Sequence, residues 1–320
     1  MSMTDGLSAT ELERSIAKTL SWFSIFTFPL TTFEIHKWMF EPKRPFDLSD
    51  VCRVLETSEW LKKHVWRKNG FLGLKRIDGK VVDIDEWILK RKKGYIDSTK
   101  KMRALKRVGM YFRLFGSVRM VSAVNSIAWA QTQPKSDIDL FVVTKPNSIW
   151  FTRFFMVLPF MIFGARPIST DSNEKKRKNV FCFSFFLSEE SLCMKKMQLD
   201  EDDYYLPLWI KSMIPILDHN QTLKKIRLEN SWTNVYFPNA KFRSVHMLHH
   251  PNVFPPLLFS NPIFNRVCRI VQERRFPVSI RSLANKDTRV IISDSVLKFH
   301  DGDRRAVFRD EFKKRYASLV

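Results

Sequence analysis

Cysteine, uninterrupted apolar sequence and acidic side chains are all scarce in this 320-residue chain, and each scarcity excludes something. The four cysteines (Cys52, Cys182, Cys193, Cys268) include no close pair and no zinc spacing, so a zinc module is not expected. Two fall within apolar runs and read as buried free thiols, which suits a reducing cytoplasm. The most membrane-like stretch, Ile149 to Ala165, is short of the ~20 residues a span needs, and Arg153 and Pro159 interrupt it. A core helix packed on a sheet is expected there instead. The opening Met-Ser-Met-Thr-Asp-Gly lacks a basic-then-apolar signal pattern, so a cytoplasmic protein without a membrane span is expected. Acids number 33 against 54 Lys and Arg, a formal net charge of +21. That excess favours polyanionic partners: nucleic acid, nucleoside triphosphates or an anionic membrane. A chain that is 44% hydrophobic and 13% aromatic is globular, and its length allows two or three domains.

The few acids are used conspicuously in one place. Ile138, Leu140, Phe141, Val142 and Val143 form a buried-strand pattern, ended by the turn cluster Lys145-Pro146-Asn147. Asp137 and Asp139 sit at its start and, two residues apart on a strand, share one face. At ~4 Å and an effective dielectric of ~20 their repulsion is on the order of 4 kcal/mol. A divalent metal with oxygen ligands, Mg²⁺ or Mn²⁺, is the counter-charge that fits best; two solvated acids on an exposed strand start are the alternative. Upstream, Val118 to Val124 forms a second strand that runs into the small-residue turn Asn125-Ser126-Ile127-Ala128.

This layout of strand, small-residue turn and strand with Asp-x-Asp resembles the DNA-polymerase-β-like nucleotidyltransferases. The run Val124 to Ala128, then Ser136 to Phe141, then Trp150-Phe151-Thr152-Arg153 is similar to a microbial group of nucleotidyltransferase-domain proteins. Asn230-Ser231-Trp232, Pro238-Asn239-Ala240, Ser293-Asp294-Ser295 and Phe299-His300 extend the likeness over most of the chain. The resemblance implies transfer of a nucleoside monophosphate from an NTP to a hydroxyl or phosphate, with release of pyrophosphate. It implies catalytic and metal-holding roles for Asp137 and Asp139. Asn125 and Ser126 would cradle phosphates at a helix N-terminus, with Lys135 and Arg153 as further phosphate contacts. The chain departs from the family at two points. Asn125 replaces the family glycine, although Asn tolerates positive φ. The expected neighbouring strand, Val180 to Leu187, carries Ser184 but no third acid; Glu189 and Glu190 come just past its end.

Elsewhere the patterns are local. Thr10 is expected to cap a helix over residues 9–26, and Thr31-Thr32 to start a second. A third follows Asp47-Leu48-Ser49, and Lys68-Asn69-Gly70 marks a hairpin between two short apolar runs. Three helices and a hairpin make a winged-helix-like module over residues 1–95. The outer face of its third helix is mixed in charge, against sequence-specific DNA reading. Trp87 to Arg113 is a strongly basic helix, lining a cleft or facing solvent. A polar, basic loop is expected over residues 169–178. His246 and His250 share a helix face without an acid or Cys to complete a zinc site. The expected fold class is α+β: the winged-helix-like module, a nucleotidyltransferase core of mixed sheet and flanking helices over 96–197, and a mainly helical region over 198–320. A metal-dependent nucleotidyltransferase acting on an NTP is the first functional expectation. A catalytically degraded version that holds nucleic acid or another partner is the second.

Overall fold

The computed structural model describes residues 9–164, 180–241 and 261–319. The loop over 169–178 and His246, His249 and His250 lie outside them.

The N-terminal part follows its local signals. Helix α1 (Glu11–Ser24) opens on a capping box in which Thr10 and Glu13 bond each other's backbone N–H. Strand β1 (Leu30–Thr31) leads into α2 (Thr32–Lys37), capped the same way by Thr31 and Glu34. Helices α3 (Leu48–Thr57) and α4 (Glu59–His64) precede a hairpin of β2 (Val65–Lys68) and β3 (Phe71–Leu74). Its turn places Asn69 and Gly70 at φ 52° and 77°, the left-handed pair that a two-residue hairpin loop requires. Strand β3 also pairs with β1, so the expected hairpin is the larger part of a three-stranded sheet. A second small hairpin, β4 (Arg76–Ile77) with β5 (Lys80–Val81), follows.

Helix α5 (Ile84–Phe112), capped by Asp83, then carries the chain into a six-stranded mixed sheet. Its strands are β6 (Val118–Ala123), β7 (Ile138–Thr144), β8 (Phe181–Ser188), β9 (Ile214–Asp218), β10 (Val290–Ile292) and β11 (Val296–Phe299), in the order β10-β11-β8-β7-β6-β9. Only β7 and β8 run parallel; they are joined through α6 (Ile149–Ile162). The chain is thus a mixed helix-and-sheet fold.

The region beyond residue 197 contributes α7 (Tyr205–Ser212), α8 (Thr222–Glu229), α9 (Pro262–Arg274), α10 (Val278–Leu283) and α11 (Arg305–Ala317). It also contributes β9, β10 and β11, three strands on the two edges of the central sheet. The described residues of this region are mainly helical, and the sheet crosses the expected boundary at 197. The physical reason is edge pairing, since β6 and β8 each present a backbone row that a distant segment satisfies.

Side-chain alternation divides the sheet's two faces between two cores. Ile138, Leu140 and Val142 pack with α5, α6 and α9, while Phe141 and Val143 pack with α7 and α8. A third core joins the N-terminal helices to the C-terminal part: Trp22, Phe40, Tyr204, Phe237 and Phe312 sit in one cluster. Helix α6 has no cap from its own N-cap residue. Asn265 of α9 takes that role, its Oδ1 accepting from the N–H groups of Trp150 and Phe151 at 3.0 Å each.

One buried ion network closes this arrangement. Arg305 at the start of α11 donates to Asp203 (2.6 Å), Asp303 (2.8 Å), the Met197 carbonyl (2.9 Å) and the Thr288 hydroxyl (2.8 Å). Replacing Arg305 by Met leaves the buried Asp203 without its cation and Asp303 with Lys298 at 3.8 Å, so a loss of roughly 3–5 kcal/mol in unfolding free energy is expected by urea denaturation.

Candidate functional site

The turn after β6 is where the sequence departs from a glycine, and the backbone there has the geometry that glycine favours. Asn125 sits at φ 57°. Among L residues Asn is one of the few that reach this region at little cost. Residues Asn125–Ile127 form one turn of 3-10 helix, and Gln131 N–H closes the loop onto the Ser126 carbonyl at 3.0 Å. The expected α-helix N-terminus is therefore absent here. Small residues and a left-handed start favour a tight turn, and one turn carries little of a helix dipole.

The Asn125 side chain works in two directions. Its Oδ1 accepts from the Tyr205 hydroxyl at 3.2 Å, and its side chain also hydrogen-bonds the Asp139 carboxylate. Asp139 lies at the start of β7, opposite Cys182 of β8 in the parallel ladder. The register then shifts, from Asp139 opposite Cys182 to Phe141 opposite Phe185, so β8 carries one extra residue beside the site. Cys182 and Ser184 share the face of Asp139. The Cys182 thiol hydrogen-bonds Asp139 and Ser184, and Ser184 Oγ lies 3.2 Å from His300 Nε2. Cys182 thus occupies the neighbouring-strand position where a third acid was sought.

Charge and burial set the chemistry of this row. Burial raises the Asp139 pKa to about 6, with the nearby Asp137 charge adding to the rise. Burial, reinforced by Asp139, pushes the Cys182 thiol up to about 12, so it stays protonated. Burial also brings His300 down to about 4, helped by Lys298, which leaves a neutral imidazole. Lys101 of α5, almost fully buried, supplies a positive charge that acts on Asp139. Its ammonium donates to the carbonyls of Gln133 and Ser136 and to Ser136 Oγ (2.9 Å), and pairs with Asp97 at 3.0 Å. It holds the turn directly before Asp137.

Above Asp139 opens a cavity of about 950 Å³. Asn125, Ser126 and Asp139 form one side of it. Its wall includes the aromatic rings of Trp22, Phe23 and Phe28 from the N-terminal part and Phe308 from α11. Lys90, Lys93 and Lys100 of α5 also line it, with Glu86 and Asp97 of the same helix among them. The basic helix is accordingly split: these three lysines face the cavity, Arg91 and Lys101 are buried in ion pairs, and Arg103, Lys106 and Arg107 are exposed.

The loop is locked to the N-terminal part by Trp129, whose ring lies 4.7 Å from Trp38 and 5.3 Å from Phe23. Arg91 donates to the carbonyls of Trp129 (3.1 Å) and Ala130 (3.3 Å), and to Glu34 at 2.7 Å. Helix α5 approaches so closely that a Cβ on Gly94 would lie 2.7 Å from Gln131 Oε1. A glycine inside a long helix is thereby accounted for.

Two expected phosphate contacts lie away from the cavity wall. Lys135 is on the exposed turn before β7. Arg153 is buried on α6, bonded to Gln272 and stacked over Phe299 at 4.7 Å. An arginine inside an apolar helix is here a core residue, its guanidinium packed over the Phe276 and Phe299 rings and bonded to the Gln272 amide.

Asp137 and Asp139 offer hard oxygen donors, and the raised pKa of Asp139 marks a carboxylate that lacks sufficient counter-charge. Carboxylates of this kind suit one Mg²⁺ or Mn²⁺ whose coordination is completed by other oxygen ligands. They do not fit two, since the protonated Cys182 thiol is no ligand for a hard cation. Among the described residues no cluster of three or more His, Cys, Asp or Glu is placed to hold a metal ion. No family model, curated protein or solved structure matches the chain.

Two outcomes are expected from this geometry. Folded Asp139, with its pKa raised, holds a proton between about pH 4 and 6 that the unfolded chain has released. Stability is therefore lost as pH rises through that window, by on the order of 3 kcal/mol. Without divalent cation, Asp139→Asn should melt higher than wild type at pH 8 and alike at pH 4, checked by calorimetry. Lys101→Met removes the donor to the Ser136 carbonyl and the cation beside Asp97, and leaves Gln133 bonded only to Ser136. It should cost about 1–3 kcal/mol and speed amide exchange over residues 133–137.

Proposed function

We propose that this chain binds a nucleoside triphosphate in the cavity above Asp139, as a DNA-polymerase-β-like nucleotidyltransferase fold preceded by a winged-helix-like module. The observation that carries this reading is convergence. Asn125, Ser126 and Asp139, singled out on separate segments, form one side of a single cavity of about 950 Å³. That volume holds a nucleotide with room beside it.

The triphosphate would lie along the Asn125–Ile127 turn, with Lys90, Lys93 and Lys100 supplying positive charge. The base would lie against the aromatic wall, where stacking contributes roughly 1–3 kcal/mol. Asp137 and Asp139 would hold one Mg²⁺ or Mn²⁺, which when bound supplies neutralisation of charge on the triphosphate. Lys101 fixes the turn directly before the two carboxylates, of which Asp139 lines the cavity. The proposed reaction is transfer of a nucleoside monophosphate to an acceptor with release of pyrophosphate.

A second reading is favoured by Cys182. A thiol with its pKa at about 12 cannot act as the base that a third carboxylate would supply, and Asn125 occupies space that a glycine leaves to phosphate. On this reading the same site binds nucleotide without turning it over, and the basic surface serves a nucleic acid or an acidic partner.

Calorimetry with each of the four NTPs, with and without Mg²⁺, tests the shared premise. Mg²⁺-dependent binding that weakens roughly tenfold or more, about 1.4 kcal/mol, in Asp137→Asn/Asp139→Asn is expected. Wild type that binds no NTP in the presence of Mg²⁺ would overturn it. Pyrophosphate release from bound NTP then separates transfer from binding alone.

A further inference from the structure

Helix α9 is amphipathic in the inverse sense. Its inward residues are Asn265, Cys268 and Gln272, all buried, and Asn265 and Gln272 hydrogen-bond α6. Its outward residues are Ile263, Phe264, Val267 and Ile270, exposed by 72%, 60%, 52% and 46%. At 100° per residue these four lie in one stripe. A soluble helix ordinarily turns such a stripe to the core; here it is left exposed.

The flanks indicate what covers the stripe. Arg266 borders the stripe on one side, Arg275 on the other, and Arg274 ends it; all three are exposed. Among the described residues none of the three is in an ion pair with an acid. The only acid of the helix, Glu273, is paired with Arg269 at 2.9 Å. An apolar stripe bordered by long cationic side chains matches the boundary between acyl chains and anionic headgroups. Beside it lies a recess of about 610 Å³, lined by Asn147, Asn265, Ile270, Arg266 and Arg269, the last paired with Asp294 at 2.8 Å, so that Arg266 is the cation it offers a headgroup. A second apolar patch, Ile162 and Phe163, is exposed at the end of α6, the helix on which α9 packs. Nucleic acid would use the arginines and leave the stripe wet. No helix of the described residues is long and apolar enough to cross a membrane.

We propose that α9 is a peripheral docking surface for an anionic phospholipid bilayer, lying in the headgroup plane with its apolar stripe in the acyl boundary. This adds a location to the chemistry of the nucleotide cavity and does not depend on it.

The test is co-sedimentation of the full chain with phosphatidylcholine vesicles, with and without phosphatidylglycerol. Wild type should bind the anionic vesicles, and Phe264→Ser/Val267→Ser should bind roughly tenfold more weakly with an unchanged melting temperature, since both side chains are exposed. Arg266→Gln/Arg274→Gln/Arg275→Gln should lose the preference for anionic lipid. The proposal is overturned if wild type does not bind. It is equally overturned if the apolar double variant binds as well as wild type, because general positive charge then accounts for the attraction. A concentration-dependent dimer in vesicle-free gel filtration, abolished by the same double variant, would assign the stripe to a second copy instead.

Discussion

The docking of Trp129 into the N-terminal aromatic cluster, secured by Arg91, is the contact on which the rest of the molecule depends. Arg91 gathers two backbone carbonyls and the Glu34 carboxylate while its guanidinium lies 3.9 Å from the centre of the Phe28 ring. Without that clamp the loop from Asn125 to Pro134 would have no wall to lean on, and α5 would have no reason to pass so close at Gly94. The cavity exists because three parts of the chain meet at this point. The helices before residue 40, the loop after β6 and the end helix α11 each supply one surface. A module that might have been a separate reader of some partner is here a structural wall of the site.

The second constraint is electrostatic. The fold places Asp139 between strands, next to another carboxylate, and supplies an amide, a thiol and one fairly distant lysine in compensation. None of these carries a full opposing charge at contact. In a chain with 54 basic residues this is a local deficit of positive charge amid a global surplus. Proteins keep such deficits where a ligand brings the missing charge. Nearby, Lys298, Asp303, Arg305 and Asp203 are buried too, but there each acid meets a basic partner, so that cluster is a fastening.

What was legible in the sequence was local. Thr10 with Glu13, Thr31 with Glu34 and Asn69-Gly70 state their own geometry, because caps and tight turns are decided within a few residues. The strands from Val118, Ile138 and Val180 are readable from apolar runs, and Asn125 from its tolerance of positive φ. What was not legible was register. That Cys182, and not Ser184, lies opposite Asp139 depends on a parallel pairing and an extra residue in β8, neither of which leaves a pattern. The strands β9 and β11 are short and pair far from home, so their sequences resemble the helices around them. Arg153 misleads for a related reason: a charge inside an apolar helix looks placed for a ligand until the aromatic rings above it are known. Lys101 is one of many lysines on α5, and only tertiary contact distinguishes it.

Asn125 has a consequence beyond its backbone angle. Its amide side chain occupies the space a glycine would leave open, and it spends that position bridging Tyr205 to Asp139. The resting site is therefore already liganded by its own chain. Whatever enters must first displace an internal competitor that is always present at the same effective concentration. The measured affinity for any occupant is its intrinsic affinity reduced by the fraction of molecules in which that bridge stands open. An occupant that bonds Asp139 or the Asn125 amide thus competes with contacts the chain already makes.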